Sequence, residues 1–414
     1  MSNDVKNYKK GDREKFIKMV LCLGVIPDRT YVLLNNNLAS IRHTVNRWVA
    51  EGDFERIKPE KNMKAIIPGK ELRKSLLDPN ASKTIPLDET LFEEFKEKGI
   101  AAIYRVNAKP KGKEKIKELK VKRNRIYLFN ESFIFLWGSG VQTLPNEKIP
   151  FTSLSKDNKQ TSPSYYTSRE INRLSDDFVS LNAANEVTQV ISSSRINGIA
   201  SLKSGAFAIY NTGSGIIEYH SATEQKAAIF VEVNSRRCGL GEFKGCILLY
   251  HTTPDLYEDA SYKFLNPKTK KEKTSVVNLI TAYKESIYAI PLSPEGQQII
   301  QIMNKTPEWE EIILSVAISE DLRRNTTYTA FDGFRKEADG SNTYYFVYLI
   351  PNIERLRKFQ SFIKLTEEEN KEESGRANYR IFCYPFQEKT LRKSLPDYVQ
   401  IKTITTDQVL SWFK

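Results

Sequence analysis

His43, Asn46 and Arg47 follow Arg42 by one, four and five residues, a spacing that gathers two guanidiniums, an imidazole and a carboxamide on one side of a helix. These are hydrogen-bonding groups of the kind that read base edges in the major groove of duplex DNA. Ala39 and Ala50 keep the rest of that side small, which suits close approach to a groove. On the opposite side Ile41, Val45, Trp48 and Val49 form an apolar stripe at helical period, expected to be core.

The elements needed to hold such a face occur in order around it. A first helix runs through Cys22, with Phe16, Ile17, Val20 and Leu21 along one side and Gly24 placed to stop it. A short second helix spans Asp28 to Leu34, followed by the turn NNNLAS, the third helix from Leu38 to Glu51 and a stop at Gly52. The segments FERIKP and MKAIIP then read as two strands joined by a charged turn, where Lys58, Lys61 and Lys64 would meet phosphates. A helix, GKELRKSLLD, closes the unit. Helix, turn, helix and basic hairpin in this order predict a winged helix-turn-helix over residues 10–80, docked on double-stranded DNA. The competing use of the same module is protein contact alone.

Between Arg105 and Arg125 ten basic residues, among them Lys111, Lys113 and Lys115, face only two acidic ones, Glu114 and Glu118. Such a run is either a solvated surface or a track for phosphates. The flanking segments IAAIYRV and RIYLFNESFIFLW resemble strands, so residues 81–144 are expected to be a basic, β-rich extension. Residues 145–168, rich in Ser, Thr, Pro, Asn and Lys, are expected to be a linker.

Charge and composition narrow the function classes. A net charge of +12 and a pI near 9.2 favour a polyanionic partner. The cysteines Cys22, Cys238, Cys246 and Cys383 are scattered, and His43, His220 and His251 fall at no metal-ligand spacing, so no zinc site or disulfide framework is indicated. There is no H-x-H for a relaxase and no G-x-x-x-x-G-K-[ST] for an ATPase. The G-L-G-E-F-K-G run at Gly239–Gly245 lies after a helix and before a strand, the reverse of a dinucleotide fingerprint, and reads as a helix-ending turn. No run approaches the roughly 18 apolar residues of a membrane span, and a cytoplasmic location is expected.

From residue 169 to 320 the order of signals is helix, strand (SRINGIASL), strand (GAFAIYNTG), helix (Ser221 to Arg237) and strand (GCILLYHT), an α/β domain. With the phrases YYTSREI at Tyr165–Ile171 and YAIPLSPEG at Tyr288–Gly296, the chain resembles, across residues 10–300, the replication-relaxation family of Gram-positive plasmids and integrative elements. The resemblance implies a winged helix joined to a domain of restriction-endonuclease-like fold. An active nuclease of that kind needs an acid on one strand and a D/E-x-K on the next, to hold Mg²⁺ and activate water. This chain departs from that pattern: Asn197-Gly198 stands where the first acid is expected, and Ala206–Thr212 contains no carboxylate. Glu218 and Glu224 come too late and read as exposed charges. The domain is therefore expected to be degenerate.

Residues 340–414 alternate strand and helix signals and predict a C-terminal α/β region with a small parallel sheet covered on both faces. The expected fold class is thus α/β multidomain: an N-terminal winged helix-turn-helix, a degenerate restriction-endonuclease-like domain and a C-terminal α/β region. The expected function is non-enzymatic DNA binding in a plasmid or integrative element, in replication, mobilisation or its regulation, without metal or cofactor. Protein partners or self-association would engage the α/β domains, and no membrane is involved. The competing expectations are a metal-dependent nicking nuclease and a transcriptional regulator with a ligand-sensing α/β domain.

Overall fold

The computed structural model describes residues 10–34, 38–60, 63–77, 89–109, 112–172, 191, 194–213, 219–251, 263–265, 272–274, 277–283, 286–318, 323–324, 330–369 and 377–414. It is a mixed α/β protein with several sheets, divided into two compact units. The first comprises residues 1–154 with 160–165, and the second residues 155–159 with 166–414.

The first unit begins with α1 (Lys10–Leu23), β1 (Ile26–Pro27), a single 3-10 turn (Asp28–Thr30), α2 (Tyr31–Leu34) and α3 (Leu38–Ala50). A hairpin of β2 (Phe54–Glu60) and β3 (Met63–Pro68) and helix α4 (Lys70–Leu77) follow. The strands form an antiparallel sheet in the order β1-β3-β2, with Ile66 paired to Ile26 on one side and Arg56 on the other. Phe16, Trp48 and Phe54 join α1, α3 and β2, with ring centroids 5.1 to 6.1 Å apart. Gly52 ends α3 at a φ of 82°, a conformation that costs a residue with a Cβ.

The described residues between 89 and 138 correct the β-rich expectation, because they are mostly helical. The helix α5 (Glu89–Glu94) runs through a π-helical turn (Phe95–Gly99) into α6 (Ile100–Asn107), and α7 (Lys113–Gly138) follows with 26 residues. In α6 the buried Ala102, Ile103 and Val106 keep a helical period. The second half of α7 is buried nearly all round, from Ile126 to Leu136. A helix without a polar side shows no 3.6-residue period, and its aromatic and β-branched residues then mimic a strand.

The segment expected as a linker also folds. It carries 3-10 turns at Pro145–Glu147 and Phe151–Ser153, and buries Phe151, Leu154, Tyr165 and Tyr166. Polar composition there hides apolar anchors spaced too widely to form a run.

Strand β4 (Ser164–Thr167) spans the division, and the second unit continues with α8 (Ser168–Asn172), β5 (Ile196–Leu202), β6 (Gly205–Asn211), α9 (Ser221–Arg237) and β7 (Phe243–Tyr250). The expected helix beyond Asn172, at 173–190, lies outside the described residues. A two-stranded ribbon of β8 (Lys263–Leu265) and β9 (Glu272–Thr274) leads to α10 (Val277–Ala282) and β10 (Ile287–Pro291). The five-stranded sheet has the order β10-β7-β6-β5-β4, antiparallel between β5 and β6 and parallel from β6 through β7 to β10.

After α11 (Pro294–Met303) and α12 (Trp309–Ala317), a second five-stranded sheet runs in sequence order. It comprises β11 (Arg323–Arg324), β12 (Gly333–Lys336), β13 (Asn342–Val347), β14 (Asn378–Cys383) and β15 (Gln400–Thr403). Helices α13 (Ile353–Glu369) and α14 (Pro385–Ser394) connect the last three strands, and α15 (Thr406–Ser411) follows them. The pairs β13-β14 and β14-β15 are parallel, as expected. Strands β11 and β12, which precede the region expected to be parallel, add an antiparallel edge: Asp339-Gly340, with Gly340 at a φ of 85°, turns β12 back along β13. Within this unit Ala289 donates its N–H to the Pro351 carbonyl at 2.8 Å, tying β10 to the segment after β13.

Candidate nucleic-acid interface

Helix α3 is pinned from one side. Ile41, Thr44, Val45 and Trp48 are buried, at the i, i+3, i+4, i+7 spacing of one face. Thr44 takes the place expected of Val49, which is half-buried, so the inward face is centred slightly earlier than the apolar residues alone imply. Outside the helix, Arg13 of α1 pairs with Asp53 and lies 3.1 Å from Glu51, fixing the turn after α3. Glu55 of β2 accepts from the Lys70 backbone N–H at 2.8 Å and from Arg73 at 3.0 Å, which secures the first turn of α4.

With the inner face locked, the outer face is fixed in direction. Ala39, Arg42, His43, Asn46, Arg47 and Ala50 are all exposed. Arg47 lies 3.8 Å from Glu51, an exposed pair one turn apart and weakly held. Arg56 of β2 donates from Nη2 to the Asn46 carboxamide oxygen at 2.5 Å, linking hairpin and helix.

Between this helix and the hairpin lies a cavity of about 590 Å³. Arg29, Arg42, Arg56 and Lys64 line it, with Asn46 on α3 and Asp28 as the one acidic side chain. Asp28 accepts a hydrogen bond from Tyr31 Oη at 3.0 Å. Burial, reinforced by the Asp28 carboxylate, holds the Tyr31 phenol above its ordinary range, so it remains a donor. Four cations, one of them paired with the buried Glu131 carboxylate, and a single lining carboxylate that is itself occupied leave the lining predominantly positive.

Of the residues expected to contact DNA, Arg42, His43, Asn46, Arg47, Lys58 and Lys64 are exposed on α3 and the hairpin, within a single unit. Lys61 and Lys111 lie outside the described residues, and Lys113 and Lys115 are placed by backbone alone, in the first turn of α7. Arg29 and Arg56 were not anticipated. Arg56 sits two residues before Lys58 on β2, so period-two counting along the strand would have found it; Arg29 carried no sequence signal.

Helix α7 braces this surface. Arg123 donates to the carbonyls of Pro59, in β2, and Ala108, at 3.2 and 2.7 Å. Asn130 donates to the Val25 carbonyl at 2.5 Å, and the carboxylate of Glu131 pairs with Arg29.

No family model, curated protein or solved structure matches the chain.

In the second unit β5 and β6 present no carboxylate. Glu224, expected to be an exposed charge, is instead 1% exposed. Its carboxylate accepts from Tyr210 Oη at 2.7 Å and from the Arg195 N–H at 3.2 Å, and Tyr210 Oη lies 2.7 Å from Tyr283 Oη. Burial raises its pKa above the ordinary carboxylate range, although the hydrogen bonds from Tyr210 and Arg195 oppose the shift. Its place one turn into α9 points it at the sheet, a packing outcome that residue type alone does not reveal. Glu218 lies outside the described residues. His220 is exposed and His251 half-buried, and the described residues contain no group of three His, Cys, Asp or Glu side chains able to hold a metal. No helix among the described residues is long and apolar enough to cross a membrane.

Proposed function

We propose that the first unit contains a winged helix-turn-helix that binds double-stranded DNA, with α3 as the recognition helix and the β2–β3 hairpin as the wing. The observation that carries this reading is the direction of α3: Trp48 is locked inward while Arg42, His43, Asn46 and Arg47 face solvent together. Arginine and asparagine at those positions suit guanine and adenine edges, and Lys58 and Lys64 on the hairpin suit flanking phosphates. The net charge of +12 adds a sequence-independent attraction.

The wider reading is a non-enzymatic DNA-binding protein of a plasmid or integrative element, acting in replication, mobilisation or its regulation. The second unit then serves partner recruitment or self-association as a degenerate nuclease-like domain, which the absence of acids from β5 and β6 supports. A mobility-shift titration of the Arg42→Ala, Arg47→Ala double variant tests the first part. Binding should weaken about tenfold or more, since each good base contact contributes about 1–3 kcal/mol; undiminished affinity refutes the recognition role. A plasmid-nicking assay with Mg²⁺ or Mn²⁺ tests the second, and cleavage at binding-saturating concentration replaces the degenerate reading with a nuclease.

A further inference from the structure

We propose that Glu131, on a helix outside the helix-turn-helix, is a positioning residue that presents Arg29 to a backbone phosphate of bound duplex DNA. The inference rests on the DNA-binding reading and names a contact which that reading did not contain.

Glu131 lies in the enclosed half of α7, beside the equally buried Asn130 and Ser132 and between Phe129 and Phe133, and its side chain is 0% exposed. A carboxylate there is costly, and an apolar side chain would pack at least as well. Its carboxylate pairs with Arg29, whose side chain is 35% exposed and lines the cavity shared with Arg42, Arg56 and Lys64. The bond uses Arg29 Nε. A guanidinium gripped at Nε still has the edge formed by its two Nη groups for a second partner, a fork that matches a phosphate. Holding a long side chain in one orientation before binding also reduces the ordering cost of the contact. Arg29 sits in the turn before α2 rather than on α3, which fits a role in gripping the DNA backbone. Asp28, the acid beside it, is taken up by Tyr31.

The sign of the charge change separates positioning from bulk electrostatics. Glu131→Gln removes a negative charge, so attraction by net charge alone predicts binding as tight as wild type or tighter. Loss of positioning predicts the opposite.

The experiment measures anisotropy of a labelled mixed-sequence duplex over a salt series, using the full chain as wild type, Arg29→Ala, Glu131→Gln and the double variant. Arg29→Ala should reduce the slope of log affinity against log salt by about 0.9, the value for one phosphate. Glu131→Gln should weaken binding about fivefold. The double variant should be no weaker than Arg29→Ala, because both changes remove one contact. Binding by Glu131→Gln at or above wild-type strength overturns the proposal, and so does an unchanged slope for Arg29→Ala. Should Glu131→Gln fail to fold, the half-exposed Arg29→Ala change still decides by its slope. A wild-type chain that fails to bind duplex at any salt overturns the DNA-binding reading itself, an outcome distinct from wild-type binding with a silent Arg29.

Discussion

Gly24 and Gly99 meet so closely that a Cβ on Gly24 would lie 2.2 Å from the Gly99 carbonyl oxygen, and one on Gly99 would lie 2.4 Å from that of Leu21. The π-helical turn delivers Gly99 to the end of α1, where only bare backbone fits. Gly99→Ala should therefore destabilise the protein by about 1–3 kcal/mol, read as a lower denaturant midpoint. An unshifted midpoint would show that the two backbones are not in contact.

Trp48 sets the orientation of the proposed recognition face. Trp48→Ala should remove about 3–5 kcal/mol of stability and weaken duplex binding along with it, whereas Arg42→Ala with Arg47→Ala should leave the melting temperature within a degree or two. Circular dichroism melts beside binding titrations make the comparison. A double variant that loses binding only because it unfolds would break this separation.

The hairpin and the helix should differ in kind. Lys58→Ala and Lys64→Ala are each expected to weaken all duplexes alike and reduce the salt slope by about one. Asn46→Ala should alter the ranking of sequences at one base position, with a penalty of about 1–3 kcal/mol on the preferred base. A selection from randomised duplexes measures both, and a sequence ranking that changes only with Lys58 or Lys64 would reverse the assigned roles.

Glu224 gives a pH signature. Its folded-state pKa is raised above the unfolded one, so the unfolded chain ionises first and folding stability falls as pH rises from the ordinary carboxylate range through the raised value. Glu224→Gln, which keeps an acceptor for the Arg195 N–H, should flatten that part of the stability profile and leave duplex binding unaltered. Denaturant titrations across weakly acidic to neutral pH provide the check, and an equally sloped profile for the variant would place the dependence elsewhere.

What the sequence made legible follows from burial geometry. Helix α3 was readable because one side is core and the other solvent, which leaves a periodic trace in residue type; even there Thr44 displaced Val49, since a hydroxyl can be buried where a turn brings it inward. Helix α7 was unreadable for the opposite reason: from Ile126 to Leu136 it is enclosed, and an enclosed helix has no side to reveal. Arg29 and Glu131 are 102 residues apart and Glu224 depends on Tyr210 from another element, so neither grouping leaves a local pattern. The polar stretch around Phe151 misled because composition averages over the few side chains that anchor it.

The reach of α7 back to Val25, Arg29 and Pro59 has a practical corollary for anyone trimming the gene. A fragment cut after residue 80 would keep every side chain assigned to base contact yet strip away the Asn130 and Arg123 donors and the Glu131 carboxylate supplied from downstream. The smallest self-sufficient piece should end no earlier than Gly138, and shorter clones should be recovered as aggregates.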